Sequence, residues 1–186
     1  YLPALPDPQA VLRQALRQPI GSPPLRELVR ANDTVGIVIS DVTRPMPTAD
    51  VVQAIVSELS HVPDANVTIF VGLGTHRLMT EQEILGVLGP ELVGRFTVSQ
   101  TECSDSTAFT TVGCTKDGNT VRFVSAFLDC SVRIITGLME PHLFAGISGG
   151  PKGILPGLAA MDTIIGNHSA AHLAHPKATY GVTRGR

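Results

Sequence analysis

"TVGIVIS" (residues 34–40), "TADVVQAIVSELS" (48–60) and "NVTIFVG" (66–72) decide the fold. The first and third are short aliphatic runs rich in β-branched residues, the pattern of strands buried on both faces. The segment between them repeats apolar residues at Val51, Val52, Ile55, Val56 and Leu59, a helical spacing opened by Pro47 with Thr48 as cap. Strand, helix and strand in succession make a βαβ unit, whose crossover makes the two strands parallel.

The rest of the chain extends this unit. Thr80 followed by Glu83 is a capping-box pattern opening "EQEILGVLG" (81–89), and "RFTVSQ" (95–100) follows as a third strand. Lys116-Asp117-Gly118-Asn119 has the composition of a hairpin turn between "FTTVGCT" (109–115) and "VRFVSAF" (121–127). "SVRIITGLM" (131–139) is another buried strand, and the pattern from Pro156 to about Ala174 is helical, with Gly166 as its weak point. There is no repeat, linker or low-complexity tract. The expectation is an α/β fold: a mainly parallel, Rossmann-like sheet flanked by helices, with one β-hairpin element.

Composition narrows the function. Hydrophobic residues make up 43% of the 186 positions and charged ones 16%, so the chain can bury a core and is not a disordered segment. A net charge of −2 gives no strong attraction to polyanions, which argues against a nucleic-acid partner. Proline, glycine or charge interrupts every apolar run before the roughly 20 residues that span a bilayer, so no membrane partner is expected. Cys103, Cys114 and Cys130 are odd in number and lack CxxC spacing, which disfavours a disulfide framework or zinc knuckle and fits a reducing cytoplasm. The chain starts at Tyr1 and stops at "GVTRGR" (181–186), a basic tail that closes no element, so a longer polypeptide is expected.

Ligands of open parallel sheets bind beyond the carboxyl ends of the strands. The first strand runs into "DVTRPMP" (41–47), carrying Asp41, Thr43 and Arg44. The second runs into "GLGTHR" (72–77), carrying His76 and Arg77. The strand at 131–139 runs into "EPH" (140–142), carrying Glu140 and His142. In a parallel sheet these three loops converge on one cleft. Singly, each residue has an ordinary explanation: Arg44 as a surface partner of Asp41, His76 and His142 as solvated loop histidines. Their recurrence at the same strand ends is what carries the argument.

Lys152 stands alone among glycines, prolines and aliphatics in "AGISGGPKGILPGLAA" (145–160). A Walker A loop needs glycine before the lysine and a hydroxyl after it, whereas Pro151 and Gly153 stand there. Gly149 and Gly150 still allow an anion-binding nest of backbone amides. Further on, His168 and His172 are spaced i, i+4, which puts both on one helix face where they would bind a metal together, or one alone would do so with a cofactor; surface histidines are the plain alternative. A lysine Schiff-base enzyme using pyridoxal phosphate, and a non-catalytic module for small anions or nucleotides, both fit these residues.

"DVTRPMP", "GTHR", "EPHLFAGISGGPKGILPG" and "NHS", in this order and spacing, resemble the nickel-dependent lactate racemase family. The likeness runs from "PIGSPPLREL" (19–28) to "HPKATYG" (175–181). It implies that residues 1–186 are the N-terminal, cofactor-binding and catalytic domain of a longer two-domain enzyme whose C-terminal domain closes over the site. The implied cofactor is a nickel-pincer nucleotide, a pyridinium mononucleotide with thioamide and thiocarboxylate sulfurs, built by separate maturation enzymes. The resemblance makes Lys152 its tether, His168 the protein ligand to nickel, His76 and His142 the acid/base pair, and Arg44 the substrate-binding residue. Asp41, Thr43, Gly149 and Gly150 then belong to the cofactor site. The implied reaction is racemisation or epimerisation of a 2-hydroxy acid: one histidine takes the hydroxyl proton, hydride passes reversibly to the pincer, and the planar keto acid is reduced on either face. Histidines suit a site that must accept or donate a proton near neutral pH, and arginine grips a carboxylate bidentately. The tethering lysine must react as a free amine, which a dry surrounding favours by lowering its pKa. Pro151 and Gly153 depart from the family pattern around that lysine, where arginine or another residue before it and often serine after it are expected.

Overall fold

The computed structural model describes residues 5–182; Thr183–Arg186, the basic end of the tail, lie outside it. The first helix, α1 (Pro8–Arg17), starts where Asp7 accepts a hydrogen bond from the Ala10 amide at 2.9 Å, and a single turn, α2 (Leu25–Leu28), follows. Neither buries a residue completely, but Leu16 of α1 and Leu25 of α2 pack against the core. α1 is tied down by Arg17, whose guanidinium meets the buried Glu58 carboxylate at 2.8–2.9 Å.

The βαβ unit is as the sequence predicts. Strand β1 (Val35–Ser40) leads through α3 (Thr48–Glu58) to β2 (Val67–Gly72), paired in parallel from Val35 opposite Val67 to Ser40 opposite Gly72. Thr48 does not cap α3: it is the first helical residue, buried, with its hydroxyl donating to the Met46 carbonyl at 3.4 Å. Helix α4 (Glu81–Arg95) has the expected capping box. The Glu83 amide donates to the Thr80 hydroxyl at 3.2 Å, and the Thr80 amide donates to the Glu83 carboxylate at 2.8 Å. Gly89-Pro90 kinks α4 before the chain enters β3 (Thr97–Ser99), which pairs in parallel with β2.

A hairpin follows, β4 (Phe109–Cys114) with β5 (Thr120–Val124). "VRFVSAF" does not stay extended to its end. Residues Ser125–Leu128 turn into a short helix, α5, so that Phe127 packs edge-on against Phe70, with ring centroids 5.4 Å apart. Strand β6 (Val132–Ile135) then lies parallel to β1 on the side away from β2, giving a four-stranded sheet in the order β3-β2-β1-β6.

Both sheet faces are covered, which explains the unbroken aliphatic runs. Ile37, Ile39, Ile69 and Val71 face α3 and α4, against Val52, Ile55, Leu88 and Leu92. Val38 and Phe70 face the other way, against Phe109, Val124, Phe127 and Leu158. Because β2 and β6 flank β1 on opposite sides, the connections diverge there and open a crevice at the carboxyl edge.

Beyond β6 a two-residue-per-strand hairpin, β7 (Pro141–His142) and β8 (Gly146–Ile147), leads into a 3₁₀ turn at Gly150–Gly153. The helical stretch expected from Pro156 begins only at Met161. Before it, Leu158–Ala160 is extended and paired to β5: the Val124 amide donates to the Leu158 carbonyl, the Ala160 amide to the Arg122 carbonyl, each about 3 Å. Sheet-edge pairing outweighs local helical spacing here. Helix α6 (Met161–Asn167) ends at His168, and α7 (Ala170–Leu173) is a separate turn. Among the described residues, no helix is long and apolar enough to cross a membrane.

Candidate active site

The three strand-end loops and the glycine-rich turn enclose a cleft of about 230 Å³ at the carboxyl edge of the sheet. Asp41, Arg44, His76, His142, Gly149, Lys152 and His168 all line it, together with Gly72–Thr75 and Thr136–Leu138. Residues up to 127 positions apart in the chain (41 to 168) are thus brought to one wall by a single topological rule.

Asp41 follows directly on β1 and is only 5% exposed. Its Oδ1 accepts hydrogen bonds from the Thr43 hydroxyl at 2.6 Å and the Thr43 amide at 3.1 Å, while its Oδ2 accepts one from His76 Nδ1. Burial pushes its pKa up, but the Thr43 and His76 hydrogen bonds outweigh burial and hold the carboxyl below the ordinary aspartate value. Asp41 therefore stays ionised, fixes the proton of His76 on Nδ1 and leaves the lone pair on Nε2. Thr43, exposed and not lining the cleft, reaches the site through Asp41.

His142 is held differently. Its Nδ1 accepts from the backbone amides of Phe144 (3.4 Å) and Ala145 (3.2 Å) in the β7–β8 turn, and its Nε2 lies 3.1 Å from Lys152 Nζ. Ser148 braces this hairpin, donating to the Leu138 carbonyl at 2.6 Å and accepting from the Glu140 amide at 3.0 Å. Burial, then the charges of Lys152, Arg44 and His168, push the His142 pKa down, with Glu140 opposing. Lys152 is half-buried, and burial followed by the Arg44 charge lowers its pKa as well. Arg44 has a loose partner across the mouth, Glu140, at 3.9 Å.

His168 donates from Nδ1 to the Ile164 carbonyl at 3.0 Å, so its Nε2 also keeps a lone pair. His172 does not share its face. The helix breaks at His168–Ser169, where Gly166 approaches Asn119 so closely that a Cβ would sit 2.9 Å from its side chain. His172 turns away to the Asn167 carbonyl (3.2 Å) and to Asp117 (3.3 Å). Among the described residues there is no group of three or more histidine, cysteine, aspartate or glutamate side chains that could hold a metal ion.

Gly149 lines the cleft, and Gly150 is exposed and does not. Both have positive φ (77° and 51°), which turns the chain into Pro151 and Lys152 and favours glycine. Gly153, at the position where serine is expected, packs on β6: a Cβ there would sit 2.7 Å from Ile135 Cγ2. Phe144 was not foreseen. Its buried ring packs edge-on to both His142 (5.3 Å) and His168 (4.8 Å), and Lys152 Nζ lies 5.8 Å from its centroid. The available signal was slight: Phe144 is the one aromatic residue between His142 and His168.

A parallel α/β sheet whose carboxyl edge gathers three histidines, an arginine and a half-buried lysine forms a cleft of the kind in which small molecules bind. Residues 2–181 match the lactate racemase N-terminal domain, and the chain belongs to that family. It is 33% identical over 174 residues to the lactate racemase of Lactiplantibacillus plantarum, covering 93% of this chain and 41% of that protein. It is 32% identical over 175 residues to the lactate racemase of Thermoanaerobacterium thermosaccharolyticum, covering 92% and 41%. The structure of the lactate racemase apoprotein from the latter organism superposes with a TM-score of 0.88 at 29% identity, over 94% of this chain and 42% of that one. A crystal structure of a Thermotoga maritima protein shares the fold, with a TM-score of 0.78 at 24% identity. The chain spans less than half the length of the curated relatives it matches.

Proposed function

We propose that this chain is the N-terminal, cofactor-binding and catalytic part of a 2-hydroxy acid racemase or epimerase of the lactate racemase type, working with a lysine-tethered nickel-pincer nucleotide. The observation that carries this reading is the pair His76 and His142, set in one cleft in opposite tautomers. Asp41 leaves His76 with a basic Nε2, and the Phe144 and Ala145 amides leave His142 with a proton on Nε2. A racemase needs one group to accept a proton and another to donate one, with the roles exchanged in the reverse direction.

The residues fit the cofactor. The tautomer of His168 is fixed by the Ile164 carbonyl with Nε2 free to ligate, as in metal-binding histidines whose other ring nitrogen donates to a backbone carbonyl. Among the described residues no all-protein cluster surrounds His168, so it would suit a metal whose other donors came from the nucleotide's sulfurs. Lys152 supplies an amine in the same cleft. When bound, the nickel-pincer nucleotide supplies a reversible acceptor for the hydride on C2.

The chain's own residues do the rest. Arg44, only loosely paired with Glu140, takes the substrate carboxylate in a bidentate grip. His76 Nε2 removes the hydroxyl proton of one enantiomer, and Asp41 stabilises the imidazolium that forms. His142 Nε2–H delivers the hydroxyl proton of the mirror-image product.

The test is to load the full-length protein with cofactor and follow a panel of chiral 2-hydroxy acids by chiral chromatography. The expected result is interconversion of both enantiomers of at least one acid. His76→Ala and His142→Ala should each lower turnover while the lysine adduct remains, and His168→Ala should lose nickel but keep the adduct. A borohydride-sensitive imine at Lys152 would overturn the reading in favour of pyridoxal chemistry.

A further inference from the structure

The hydrogen bonds around His142 favour one proton arrangement for its pairing with Lys152. Nδ1 of His142 accepts two backbone amide hydrogens, from Phe144 and Ala145, so it carries no proton. A neutral imidazole then bears its proton on Nε2, which lies 3.1 Å from Lys152 Nζ. A ring nitrogen that donates needs an acceptor, and the only acceptor an amine offers is the lone pair of its neutral form. An ammonium donating to Nε2 would force the imidazole proton onto Nδ1, against the two amides.

We propose that His142 readies Lys152 for modification, holding its amine in the neutral, nucleophilic form before any cofactor is attached, so that Lys152 is a self-activated site for an acyl- or thioacyl-class electrophile. His142 is in this respect a positioning residue for Lys152, a role separate from proton transfer to substrate.

The surroundings act in the same sense. Arg44, from the loop after β1, opposes a charge on Lys152, and Arg44 and His168, the latter at the end of α6, oppose one on His142. Glu140 favours a charge on His142, and the Phe144 ring favours one on Lys152, but at 5.8 Å it lies near the limit of a cation–π contact. Burial lowers the pKa of both groups. A rotation of the lysine side chain frees the amine lone pair for attack, whereas an ammonium has none to free.

The chain carries its own controls, since Lys116 and Lys177 are its only other lysines and both are exposed. Full-length protein made without cofactor is treated with an N-hydroxysuccinimide ester of acetate, and the rate at each lysine is read by peptide mass spectrometry across pH. In this reaction Nζ attacks the acyl carbon, N-hydroxysuccinimidate leaves and one nitrogen proton passes to solvent. Each unit by which a lysine pKa falls raises its neutral fraction about tenfold near neutral pH. Lys152 should therefore react about tenfold or more faster than Lys116 and Lys177 at pH 7, and its rate should level off at lower pH than theirs. His142→Phe keeps a ring but no nitrogens, and should return the Lys152 profile toward that of the two surface lysines.

The inference is overturned if Lys152 reacts no faster than those two, or if its pH profile is unchanged in a folded His142→Phe. Nitrogen-15 shifts of His142 in the unsubstituted protein test it without any variant: a protonated Nδ1 at neutral pH would sink it. The inference rests on the proposed function only for the identity of the natural electrophile. Failure to bind nickel or to turn over a 2-hydroxy acid would remove that reading and leave the Lys152 reactivity standing.

Discussion

At the scale of single residues, the cleft works by fixing where protons sit. Asp41→Asn tests this at His76: an amide no longer holds one tautomer, so under the proposed function kcat of the cofactor-loaded full-length protein should fall about 100-fold or more with little change in KM. Unchanged kcat would remove Asp41 from the machinery. His142 should titrate below the ordinary histidine value near 6.5, since burial first, and then Lys152, Arg44 and His168 whenever they carry charge, depress it. Arg44→Gln removes one of those charges, so the His142 midpoint in an NMR titration should rise; a fall would contradict the arrangement. Strand-end position made Arg44, His76 and His142 legible in the sequence, and the glycine-rich setting marked Lys152. The Asp41–His76 bond and the place of Phe144 were not legible, because they depend on side-chain directions across separate loops.

At the scale of elements, local chemistry was legible where neighbours in sequence satisfy each other. The Thr80–Glu83 capping box is of that kind, and Arg77 adds a two-pronged pair to Glu83 at 2.7–2.8 Å. The Arg77 pairing first, then the Thr80 amide, lower the Glu83 pKa from 4.5 to about 2. A depressed carboxyl contributes stability above its unfolded pKa and loses it as pH falls through the folded one. The thermal midpoint of Glu83→Gln should thus lie below that of the parent above about pH 5, with the gap closing toward pH 2. The 3₁₀ turn bearing Lys152 shows the opposite case. Gly153→Ser presses a Cβ onto Ile135, which should cost about 1–3 kcal/mol in denaturant unfolding, and Ile135→Ala in the same chain should recover part of it. Nothing in "GGPKGILPG" announces that contact, because Ile135 belongs to another strand. The expected helix face shared by His168 and His172 failed because the extended backbone at Ser169 (φ −62°, ψ 154°) separates α6 from α7.

At the scale of the whole molecule, the sheet is a partition between two cores, and the cleft sits at its carboxyl edge where both meet solvent. Phe127 anchors the second core against Phe70, so Phe127→Ala should cost about 3–5 kcal/mol of unfolding free energy, and a value under about 1 would mean that this face is not a cooperative part of the fold. The parallel sheet, its βαβ order and the convergence of three loops were written in the chain, because aliphatic runs, helical spacing and capping act over a few residues and propagate without further information. The position of α1, the turn of Ser125–Leu128 into a helix, the extended path of Leu158–Ala160 and the opposite tautomers of His76 and His142 came from the packed molecule. Each is the outcome of a contest between local preference and a partner far away in sequence, and only close packing, where an unpaired donor or a clashing methyl is costly, settles such contests.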